Sequence, residues 1–146
     1  MRTAAPLGVL VISGSYDRIH YALATAAAAL ALDRPTTVFF ANAAPRALLA
    51  ADDDGEPAFA ALPVSPELAG MVGSSGAAMA RWQRARGIAD LAQLLEACAS
   101  LDGRLVVCDM ALRLLDAKAQ HLRSDVRIEV GGLVAFLATP MERVTI

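Results

Sequence analysis

Leu7-Gly8-Val9-Leu10-Val11-Ile12-Ser13-Gly14-Ser15 is the stretch on which the fold turns. The run over residues 7–12 is too short for a helical core and has no polar alternation, and a Ser-Gly-Ser turn closes it. It reads as a strand buried on both faces, which places it in a parallel sheet with helices on either side. A helix should follow at once. Residues 21–32 are almost all Ala, Leu and Thr, helical material in sum, and Asp33-Arg34-Pro35 ends them. The small side chains let such a helix lie close against a sheet or a second subunit. Residues 36–41, Thr-Thr-Val-Phe-Phe-Ala, are β-branched and aromatic and form a second strand. Strand, helix, strand in that order predicts a right-handed parallel βαβ unit and an α/β class.

Further along, residues 42–49 read as a loop and a short helix. Asp52-Asp53-Asp54-Gly55-Glu56-Pro57, with Pro63 and Pro66, marks a solvated excursion. The three aspartates lack the alternating spacing of a calcium loop and are taken as a surface turn. Residues 70–87 predict a helix with a flexible entrance, Gly73-Ser74-Ser75-Gly76, so that about 52–87 forms a flap-like excursion. Leu91, Leu94, Leu95 and Cys98 fall at i, i+3, i+4 and i+7, the apolar stripe of an amphipathic helix. Residues 104–108 read as a third parallel strand and 110–115 as the helix that it feeds. Residues 126–130, Gly131-Gly132 and 133–137 complete the pattern as one or two further strands around a glycine turn or bulge.

The chain has 146 residues, within the range of one domain, and the expected unit is residues 1–146. It is 56% hydrophobic with a mean hydropathy of +0.47, but only 5% aromatic, and alanine supplies much of the excess. No charge-free apolar run of about 18 residues exists, because Arg18 and His20 precede the longest one and Asp33 and Arg34 close it, so no membrane partner is expected. The first apolar run is short for a secretory signal, and the expected location is cytoplasmic. Thirteen basic and 15 acidic residues leave a net charge of −2, which favours neither nucleic acid nor anionic lipid. The cluster Arg81, Arg84 and Arg86 reads as a solvated helix face. Two cysteines in such a chain argue against a disulfide framework. Neither His20 nor His121 has metal-ligand spacing with a cysteine, so both are taken as ordinary, partly exposed histidines and no metal or cofactor is expected.

In an open parallel sheet, ligands gather outside the carboxyl ends of the strands. Three loops qualify: Ser13-Gly14-Ser15, Asn42 to Pro45, and Cys108-Asp109. Cys108 is thereby placed at the mouth of the sheet, just before a helix whose N-terminus favours a thiolate. Asp109 either opposes this through its charge or caps the helix through a backbone N–H. Cys98 belongs to the core by its helical spacing. Backbone N–H groups and hydroxyls of Ser13, Gly14 and Ser15 are of a kind that binds anions at a helix start, although a turn and N-cap role is the plainer reading. Neither G-x-G-x-x-G nor G-x-x-x-x-G-K-[ST] occurs, which leaves nucleotide binding little support. Trp82, with Met71 and Met79, is assigned to flap packing or a subunit contact.

Several of these segments, in this order, resemble the DsrE-like sulfur-relay family, most closely the branch often labelled peroxiredoxin-family or DsrE/DsrF-like. The resemblance runs from Ser13-Gly14-Ser15-Tyr16-Asp17 through the alanine-rich helix, Val38-Phe39-Phe40 and Gly76-Ala77-Ala78-Met79. Its most distinctive part joins Gly87-Ile88-Ala89-Asp90-Leu91-Ala92-Gln93-Leu94-Leu95 to Val107-Cys108-Asp109-Met110-Ala111-Leu112. It closes on Val130-Gly131-Gly132-Leu133-Val134-Ala135-Phe136-Leu137, aligned with the family's final strand. The resemblance implies a compact three-layer α/β sandwich with a mainly parallel sheet and a homo-oligomer, a trimer or hexamer. It also implies that Cys108 stands where such proteins hold a persulfide and pass sulfane sulfur between donor and acceptor proteins. Ala111 departs from the branch, which commonly has a hydroxyl there. No C-x-x-C or peroxidatic motif accompanies the label.

The expected function is thus an intracellular sulfur carrier or sulfurtransferase-like protein with Cys108 as the reactive group and Ser13, Gly14, Ser15, Asn42 and Asp109 around the ligand. In that reading residues 13–15 cradle an anion such as thiosulfate, and residues 70–87 gate access. The alternative is a non-catalytic oligomeric binding or scaffold protein that keeps the fold without the relay, a reading favoured by Asp109 and Ala111.

Overall fold

Strand β1 (Leu7–Val11) forms where the apolar run predicts it, and α1 (Tyr16–Ala31) follows the Ser-Gly-Ser turn. The computed structural model describes residues 4–146. Helix α1 begins ahead of the alanine run because Tyr16, Ile19 and His20 already face the core. Strand β2 (Thr36–Phe40) is buried along its whole length, and two 3-10 turns, Ala44–Leu48 and Ala58–Ala61, carry the chain into the excursion. Helices α2 (Pro66–Val72), α3 (Gly76–Ala85) and α4 (Leu91–Ser100) come next. Helix α4 starts at a capping box, in which Asp90 accepts from the Gln93 amide and the Gln93 side chain accepts from the Asp90 amide, so two otherwise orphaned donors are satisfied. Strand β3 (Arg104–Cys108), α5 (Asp109–Leu114), β4 (Glu129–Gly131), α6 (Leu133–Ala138) and β5 (Glu142–Thr145) complete the described chain.

The sheet is five-stranded and parallel throughout, in the order β4-β3-β2-β1-β5. Side chains alternate across it. Val9, Val11, Val38, Phe40, Leu105 and Val107 enter the main core beneath α1 and α4, whereas Phe39, Val106 and Cys108 enter a smaller cluster on the opposite face with Ala111 and Phe136. The architecture is therefore an α/β sandwich of three layers, but the layers are unequal. Handedness explains this. The chain steps from β1 to β4 in one direction, which puts its right-handed crossovers on one face. It then returns past β1 to β5, and a right-handed return must cross the other face. Among the described residues, that second face is met by the short α6 and by Ala111 of α5.

Residues 133–137 thus correct the sequence expectation: they form helix α6, and the last strand is Glu142–Thr145. A brief apolar run does not by itself separate strand from helix. Here the run must bridge the sheet from one edge to the other, and a helix satisfies its own backbone polar groups on the way. Arg143 holds the end of α6, donating through Nη2 to the carbonyls of Phe136, Leu137 and Thr139 at 3.0, 2.8 and 2.7 Å. Among the described residues no helix is long and apolar enough to cross a membrane.

Candidate functional site

The three carboxyl-end loops are neighbours. An added Cβ on Gly14 would lie 2.8 Å from the Ala43 Cβ, so the turn after β1 rests directly on the loop after β2, and only glycine permits that approach. Asn42 adopts the left-handed conformation (φ 53°) that lets this loop turn away from the strand, a conformation Asn tolerates better than most residues. Phe40 pairs in register with Val107, and Cys108 pairs with Gly131, which sets Cys108 at the end of β3 between the ends of β2 and β4. Ser13, Gly14, Ser15 and Asn42 therefore share one end of the sheet with Cys108 and Asp109.

Cys108 is the N-cap residue of α5 by backbone geometry, but its side chain does not cap. Only 2% of Cys108 is exposed, and the residue packs in the second cluster with Phe39, Val106, Ala111 and Phe136. Both cysteines are free thiols. Asp109 is exposed, and its Oδ1 accepts from the Met110 amide at 2.7 Å, which puts the carboxylate on the first turn of α5. The helical residues that share the Cys108 cluster are Ala111 of α5 and Phe136 of α6. The segment that includes α3 packs against α1 on the main-core side of the sheet, and Tyr16 ties it there.

At the start of α1 the polar groups serve one another. Ser13 and Ser15 hydroxyls are 3.0 Å apart, the Ser15 amide donates to Ser13 Oγ at 3.1 Å, and the Tyr16 amide donates to the Pro63 carbonyl at 2.8 Å. Asp17 Oδ1 accepts from the Ser65 amide at 2.8 Å. Partial burial of the Asp17 carboxyl opposes ionisation, but the Ser65 hydroxyl and amide, its own amide and the Ser15 hydroxyl outweigh this and hold it below the ordinary carboxylate range. The chain's own carboxylate thus lies beside the donors at this helix start.

Several sequence readings are refined by the packing. Cys98 is fully buried on α4, and desolvation pushes its thiol up to about 11, the behaviour of a core residue. His20 is a correction: it is buried rather than partly exposed, because it stacks on Tyr16 and its Nε2 bonds the Ala89 carbonyl at 2.7 Å. His121 is exposed, and its Nδ1 accepts from the Lys118 amide. Asp52 Oδ1 accepts from the amides of Asp54 and Glu56, the bonding of a surface turn. Among the described residues, no group of three or more His, Cys, Asp or Glu side chains could hold a metal ion. In the basic cluster, Arg84 pairs with Asp90 and Arg86 lies 3.5 Å from the Trp82 ring centroid. Sequence reasoning missed the recess under α6, lined by residues from β2, β3, β4 and α6, because only tertiary folding brings Thr37, Phe39, Val106 and Phe136 together.

Compared with known proteins, the chain matches no protein-family model and no curated protein.

Proposed function

We propose that this protein is a DsrE-like sulfur carrier that holds sulfane sulfur as a persulfide on Cys108. The observation that carries the reading is the position of Cys108. It terminates an interior parallel strand, where α/β sheets place their chemistry, and lies apart from the main core in a small cluster with Ala111 and Phe136. In the loading step the Cys108 thiolate attacks the outer sulfur of a donor persulfide R–S–SH. The new Cys108 S–S bond forms as the donor S–S bond breaks, RS⁻ leaves, and the proton lost by the thiol goes to solvent. In the unloading step an acceptor thiolate attacks the same outer sulfur and Cys108 departs as thiolate. No net oxidant is needed. The apolar residues Phe39, Val106 and Phe136 of the Cys108 cluster would shield a stored persulfide from water, and at 2% exposure the thiol must be uncovered before transfer.

Assembly belongs to the same proposal. Ile12, Met110, Leu114, Val134 and Leu137 are exposed apolar side chains on the carboxyl-end loop, α5 and α6, a pattern suited to a homo-oligomeric contact. Two observations favour the second reading, a non-catalytic oligomeric module: Cys108 is 2% exposed, and the Ser13 and Ser15 hydroxyls bond one another. A single experiment separates the two. Reduced protein is incubated with a small organic persulfide, and its intact mass is taken beside that of Cys108→Ala, with the native size of both measured by light scattering. A 32 Da adduct on the wild type alone supports the carrier. No adduct with unchanged assembly in both proteins overturns it in favour of the module.

A further inference from the structure

We propose that the recess between the sheet and α6 is a binding site for a small uncharged molecule with a compact apolar body and one hydrogen-bonding group. The recess measures about 120 Å³. That is close to the roughly 150 Å³ of an apolar cavity known to take benzene or xenon, so the occupant has on the order of six non-hydrogen atoms. Part of its wall is apolar. Phe39 and Phe136 stack there with ring centroids 4.7 Å apart, and Val106 and Met141 stand beside them.

Two further features define the ligand. Arg104 and Glu129 stand at the rim, but their paired bonds of 2.9 and 3.0 Å spend each charge on the other, so neither recruits an ion. Thr37 also lines the recess and brings a hydroxyl to its wall. A hydroxyl both donates and accepts, so one hydrogen-bonding group on the occupant suffices to meet it. The opening itself comes from Gly131-Gly132. An added Cβ on Gly132 would meet nothing within 4 Å, and its backbone is ordinary extended chain (φ −97°), so glycine is not demanded there by conformation. Cys108 does not line the recess, so this inference stands independently of sulfur chemistry.

The test titrates the ¹⁵N-labelled full chain with phenol and with benzene. Both should give saturable amide shifts at Phe39, Val106 and Phe136, with dissociation constants on the order of 1 mM. Phenol should bind about 2- to 12-fold tighter, the span of one net hydrogen bond. Thr37→Val, nearly isosteric, should equalise the two, and Gly132→Leu should abolish both while leaving remote resonances in place. Should Gly132→Leu disturb the fold, the phenol-to-benzene ratio in Thr37→Val carries the test alone. Absent or unsaturable shifts, shifts confined to exposed Met110, Leu114 and Val134, or a phenol preference that survives in Thr37→Val would overturn the proposal. The titration reads binding and involves no sulfur transfer, so failure here is distinguishable from failure of the carrier reading.

Discussion

Tyr16→Phe removes one oxygen and with it the tie between three helices. The Tyr16 hydroxyl donates to Gln83 Oε1 on α3 at 2.8 Å and accepts from the Leu91 amide at the start of α4 at 3.0 Å. Tyr16 and Leu91 are fully buried and Gln83 is 3% exposed, so water does not replace the lost oxygen. Two polar groups are then left without a partner, at about 1–3 kcal/mol each, which predicts a loss of about 3 kcal/mol. For a chain of this size that corresponds to a drop in Tm of roughly 6–12 °C. Urea unfolding at neutral pH measures the first figure, and an alkaline series isolates the cause. Burial raises the Tyr16 hydroxyl from 10.0 to about 12, with the Leu91 amide working against it. The unfolded tyrosine therefore ionises first as pH rises. The stabilising difference is fully present below pH 10 and is lost by about pH 12, at most about 3 kcal/mol. The phenylalanine variant should lack this limb and keep the one due to Cys98, between 9.0 and about 11. A loss below about 1 kcal/mol together with an unchanged alkaline limb would refute the reasoning.

Three other substitutions probe the same framework. Gly76→Ala would drive a Cβ into the Phe59 carbonyl oxygen and to 2.8 Å from the Tyr16 ring, and should cost about 3 kcal/mol in urea unfolding. Arg143→Met removes three bonds to the end of α6, and iodoacetamide should then modify Cys108 about tenfold faster, as read by mass spectrometry, while an unchanged rate would mean that α6 does not control access. Asp17→Asn should cost about 1 kcal/mol at neutral pH. Because the folded carboxyl titrates below 3.8, its contribution is present above that pH and is lost as pH falls through the lower folded value, so wild type and variant should converge in acid urea melts.

Residues 7–15 carried the parallel sheet in their own chemistry: an unbroken apolar run is compatible with a strand only if both faces are covered, and a turn at its end makes room for a helix. The spacing of Leu91, Leu94, Leu95 and Cys98 likewise announced an apolar stripe, of which Leu91, Leu95 and Cys98 are buried and Leu94 is half-buried. Local pattern sufficed there because helix and strand periods are properties of a few consecutive residues. Residues 133–137 were not legible in this way, since a short apolar run serves either period and the choice was made by the need to cross from β4 to β5. His20 was misread for a related reason: its environment is Tyr16 and the Ala89 carbonyl, and the latter is remote in sequence. For the candidate site, sequence order was enough to bring Cys108 to a strand end. Only the tertiary structure put its side chain on the second face, in the cluster with Phe39 and Phe136, and opened a recess beside Thr37, because right-handed crossovers assign helices to sheet faces by the order of strands in space.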